Sequence, residues 1–95
     1  MKLADFKESI HQTAPPSYMP VLLQALWYDA KGKWEMAHQL AQEVETSEGS
    51  WIHAYLHRKE GDSGNAAYWY HRAKKPVCNK PLSEEWEEIV TALLR

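Results

Sequence analysis

Five histidines and a single cysteine are the side chains of this 95-residue chain whose chemistry suits metal binding or nucleophilic attack. His53 and His57 stand four residues apart, a spacing that on a helix stacks two imidazoles on one face with their nitrogens able to converge. Glu60 follows three residues later on the same side, and His38 lies on the preceding segment. If that segment is a helix packed against the one carrying His53, the set His38, His53 and His57 offers two ligands from one helix and a third from its neighbour, a donor set for zinc or a similar ion. The alternative is structural: imidazoles that bond carbonyls or carboxylates between helices. His-x-x-x-His without the glutamate of an HExxH motif is a weak signal, so metal binding stands here as the second reading.

Other reactive constellations do not assemble. Cys78 lies in a proline-flanked stretch, PVCNKP, with no base positioned beside it. The glycines at 32, 49, 61 and 64 are scattered and form no phosphate-binding loop. The acid pairs Glu84-Glu85 and Glu87-Glu88 read as a solvated helix face, and His11 and His71 as surface residues. The expectation is a protein that is not an enzyme, with no catalytic residue and no cofactor.

The elements that must position these groups are helical. Residues 3–12 carry Leu3, Phe6 and Ile10 on one side and end before Pro15-Pro16. Ser17 can cap a helix that runs to Lys31 with Val21, Leu22, Ala25, Leu26 and Tyr28 on its buried side, and Gly32 stops it. A third helix runs to about Ser47 with Ala37, Leu40, Ala41 and Val44 in its stripe, and Ser50 is placed to cap a fourth starting at Trp51. That fourth helix ends at Gly61; Asp62 or Ser63 caps a fifth, striped by Ala66, Trp69, Tyr70 and Ala73 and closed by Pro76. Beyond Pro81, Ser83 opens a last helix with Trp86, Ile89, Val90 and Leu93 on one face.

An internal repeat organises the middle of the chain. Sliding residues 25–45 forward by 29 lays Ala25 on Ala54, Tyr28 on His57, Gly32 on Gly61, Ala37 on Ala66, Leu40 on Trp69 and Ala41 on Tyr70. Two copies of one helical hairpin explain this, since such a unit buries its apolar face only by stacking on another. The pattern Asp62-x-x-x-Ala66-x-x-Trp69-Tyr70-x-x-Ala73 resembles the second helix of a Sel1-like repeat, a relative of the tetratricopeptide repeats, although Lys59-Glu60-Gly61 stands where that family usually has Gly-x-Gly-Val. The run from Ala54 to Tyr70 is also similar to the core of small bacterial all-helical proteins, a resemblance that implies no particular activity.

The reading is therefore all-α and a single domain, 1–95: an N-terminal helix and proline linker over 1–16, a first hairpin over 17–47, a second over 50–76 and a capping helix over 83–95. Trp69 is expected in the core, and Trp27, one position off its stripe, either in the core or exposed as a partner anchor. The resemblance to tetratricopeptide arrays implies an inner groove lined by the first helix of each hairpin, with Leu22, Leu26 and Asp29 and then Trp51, Tyr55, Arg58 and Lys59. A peptide, a partner helix or a second copy of the chain would bind there, in a non-catalytic protein-interaction module.

Charge and composition narrow the partners. Net charge is −2, with a local +4 over residues 51–80 between ends that each sum to −3. Nucleic-acid binders are usually basic as a whole, so no nucleic acid is expected. One cysteine forms no internal disulfide, no stretch has the apolar length of a membrane span, and MKLADFKES lacks the apolar core of a signal peptide. A cytoplasmic location is the expectation.

Overall fold

Two glycines with positive φ, Gly32 at 78° and Gly61 at 90°, fold the chain back on itself at points 29 residues apart. The turns share one hydrogen-bonding pattern. Gly32 N donates to Asp29 O at 2.9 Å and Lys33 N to Tyr28 O at 2.9 Å; Gly61 N donates to Arg58 O at 3.1 Å and Asp62 N to His57 O at 2.9 Å. Only glycine takes this left-handed backbone without steric penalty, which is why it recurs at both sites. The computed structural model describes all 95 residues as helices and connecting segments, with no strand. The helices are α1 (Leu3–Ser9), α2 (Val21–Ala30), α3 (Trp34–Gln42), α4 (Ser47–Lys59), α5 (Ser63–Ala73) and α6 (Leu82–Leu93).

Helix α4 is the centre of the molecule. It packs against α2, α3, α5 and α6, and Ile52 through His57 are buried without interruption. Neighbours on several sides bury even the polar Ser50, His53 and His57 of its α3-facing side. Helices α2 and α3 pair across the Gly32 turn, and α4 and α5 across the Gly61 turn. Ala54 and Ala66 let α4 and α5 approach closely, with Tyr70 filling the space beside them. The larger core joins Phe6, Leu23, Leu26, Trp27, Ile52, Leu56, Ile89 and Val90.

Helix α6 lies on α2 and α4, and α1 docks on α6. The Phe6 and Trp86 rings are 5.7 Å apart, and Lys7 pairs with Glu87 at 2.6 Å. Tryptophan N–H groups stitch these layers: Trp27 Nε1 donates to Ser9 O at 3.1 Å, Trp34 Nε1 to Leu56 O at 2.8 Å and Trp86 Nε1 to Leu26 O at 3.2 Å. A buried indole needs such a partner, so each bond fixes one helix relative to another. No helix is long and apolar enough to cross a membrane.

Of the two alternatives for Trp27, the core one holds: it is 1% exposed and its indole N–H bonds to Ser9 of α1. Other expectations are corrected. Trp69 is only half-buried and stands outside the main cluster. Thr46, rather than Ser50, caps α4, accepting from Gly49 N at 3.1 Å, so that helix starts four residues earlier than Trp51. Pro20 and Pro81 precede α2 and α6, and neither Ser17 nor Ser83 caps them. Asp62 does cap α5, accepting from Asn65 N at 3.2 Å.

Candidate metal centre

Three histidines meet where α3 crosses α4. His53 and His57 occupy successive turns of α4 with rings stacked 4.9 Å apart, and His38 reaches them from α3 with ring centres 4.4 Å from His53 and 5.1 Å from His57. One ligand nitrogen from each lies within 4.8 Å of the other two. Nitrogens bound to one tetrahedral zinc stand roughly 3.3 Å apart, so side-chain rotations of about an ångström close the set.

Aromatic side chains hold the rings. Trp34, one turn before His38 on α3, stacks on it at 4.9 Å and 12°, and its indole N–H is anchored to α4. Trp69 of α5 lies face to face with His53 at 3.8 Å and 9°. The sequence placed Trp69 in the core and missed this stacking role; its alignment with the smaller Leu40 in the other copy was the available signal.

Electrostatics disfavour a positive charge on two of the three rings. Burial, then the neighbouring His38 and His57, then Arg72, push His53 down to about 4. His38 is lowered too, by burial and by His57, against the opposing pull of Glu60. Neutral imidazole is the form that binds a metal, so the lowered His53 and His38 favour it. His57 Nδ1 is buried and has no hydrogen-bond partner; the Glu60 carboxylate is 3.7 Å away, beyond bonding distance. A rotamer change of Glu60 would close that gap and direct the other ring nitrogen at the ion, the usual outer-shell arrangement of a metal-bound histidine.

Of the residues expected to line an inner groove, Leu26, Asp29 and Tyr55 are buried, Leu22, Trp51 and Arg58 half-buried and Lys59 exposed, with α6 packed on α2 and α4. Their polar groups are satisfied within the chain. Asp29 accepts from Tyr55 Oη at 2.8 Å and Lys59 Nζ at 2.8 Å. Glu85, fully buried on α6, accepts from Tyr70 Oη at 2.6 Å, Trp51 Nε1 at 3.1 Å and Arg58 at 2.9 Å. Burial and these carboxylates push the Tyr55 and Tyr70 hydroxyls well above the ordinary tyrosine range. Arg58 also donates to Lys80 O. The basic centre of the chain is thus partly neutralised from within.

Comparison with protein-family models, with curated proteins and with solved structures gives no match to this chain.

Proposed function

We propose that this protein is a small helical metal-binding domain that holds a zinc-class ion through His38, His53 and His57. The observation that carries the reading is the convergence of three imidazoles from two helices, one ligand nitrogen of each within 4.8 Å of the other two. The scaffold fits a pair of Sel1- or tetratricopeptide-like units, a reading supported by the two identical turns 29 residues apart.

Partner binding ranks second. A peptide seated where such arrays usually hold one would have to displace α6, but a different groove of about 720 Å³ opens between residues 75–80 and α6, with Trp51 on its wall. A peptide or second copy of the chain is the occupant this reading would require.

Calorimetric titration of untagged, chelator-treated protein with zinc tests the first reading. One saturable equivalent is expected, weakened by more than about 100-fold in His53→Ala, beyond what loss of an outer-shell contact costs. His38→Ala, at a half-exposed position, gives the same loss with less risk to folding, which circular dichroism checks. Absence of saturable binding to the wild-type chain overturns the reading.

A further inference from the structure

We infer that the ion bound by His38, His53 and His57 keeps a fourth coordination position open to an exchangeable small anion or water. The inference rests on the metal-binding reading and adds to it what the ion does. Closed structural zinc sites use four protein ligands; sites with three leave the last position to water or substrate.

No fourth protein donor joins this set. Glu60 groups with His57 and Asp62, apart from His38 and His53, and Asp62 is engaged in capping α5. Cys78, the only thiol, lies in the groove beside α6 and packs on the α4–α5 cluster around Tyr70. Two of the three rings border open space. His38 is half-exposed, and His53 forms part of the wall of a cavity of about 140 Å³ that Trp69, Ser50, Gln42, Glu45 and Arg72 also line. That volume admits several waters or one small oxyanion.

The charge of the site selects the occupant. Three neutral imidazoles leave the ion's positive charge uncompensated, so its last ligand is favoured as an anion. Arg72, with its guanidinium 5.0 Å from the Trp69 ring, adds positive potential at the cavity, against a single opposing carboxylate from Glu45. Small carboxylates, inorganic phosphate and azide belong to the class that fits.

Cobalt(II) in place of zinc makes the site visible. With one equivalent of cobalt, the full-length protein is expected to develop visible absorption bands, absent in His38→Ala, and azide is expected to shift them saturably. Bands that form but ignore saturating azide overturn the open position. Azide sensitivity seen only in Glu60→Gln overturns it as well, since Glu60 would then be the fourth ligand of a closed site. If cobalt gives no bands, the metal-binding reading fails, and this inference with it.

Discussion

His53 sits against the Trp69 ring on one side and within reach of two other imidazoles, with Arg72 near enough to oppose a positive charge. Protonating it in the folded protein is therefore unfavourable, whereas in the unfolded chain it titrates near 6.5. Between those values the unfolded state binds a proton that the folded state does not, so stability falls as pH drops from about 6.5 to about 4. The full shift corresponds to roughly 3 kcal/mol, and water reaching the cluster reduces this to on the order of 2. His38 moves in the same direction. Urea midpoints at neutral and acidic pH, compared between wild type and His53→Gln, read the effect. Wild type is expected to lose clearly more stability over that window, and equal losses in the two proteins would refute the account. The spacing of His53 and His57 was legible because it depends only on helical periodicity. The burial of Glu85 is masked in the sequence by the run of acids around it, which suggests a solvated face, although its position four residues before Ile89 puts it on the apolar stripe of its helix.

At the level of elements, α6 decides what the rest can do. Its apolar stripe was evident, but its seat was not, because the partners that fix it are distant in sequence: Trp86 reaches Leu26, and Glu85 reaches Trp51, Arg58 and Tyr70. The basic residues Arg58 and Lys59 looked available to a partner for the same reason; nothing local reveals that Glu85 and Asp29 meet them. Glu85→Ala removes the acceptor of the buried Tyr70 hydroxyl and of two part-buried donors, Trp51 Nε1 and the Arg58 guanidinium, whose side chain is 20% exposed. The expected cost is about 3–5 kcal/mol. Glu88→Ala, which removes an exposed pair with Lys80, should cost at most about 1 kcal/mol. Chemical denaturation of the two variants separates them, and similar losses would show that the buried carboxylate is not what seats α6. Helix starts are hard to read from sequence where proline begins a helix without a side-chain cap, at Pro20 and Pro81, and where two hydroxyl residues compete, Thr46 capping in place of Ser50.

For the whole molecule, the histidine cluster lies at the junction between the two helix pairs, since α3 ends the first and α4 begins the second. The 29-residue period made both pairs legible, and with them the meeting of His38 with His53 and His57; the tryptophans that sandwich the cluster needed the three-dimensional packing to be seen. An ion bound there adds a direct link between α3 and α4 to units that already meet through the α2–α4 contacts, among them Asp29 with Tyr55 and Lys59. Binding to the folded state alone must raise stability by mass action, about 2.7 kcal/mol at one hundred times the dissociation constant. For a domain of this size each kcal/mol moves the melting temperature by roughly 4–8 °C, so zinc should raise it by about 10–20 °C. Thermal scans followed by circular dichroism, with and without zinc, measure the shift in wild type and in His38→Ala. A shift confined to wild type places the ion at the α3–α4 junction. An equal shift in both proteins would put zinc elsewhere, and no shift in either would leave the three imidazoles as a packing feature of that junction.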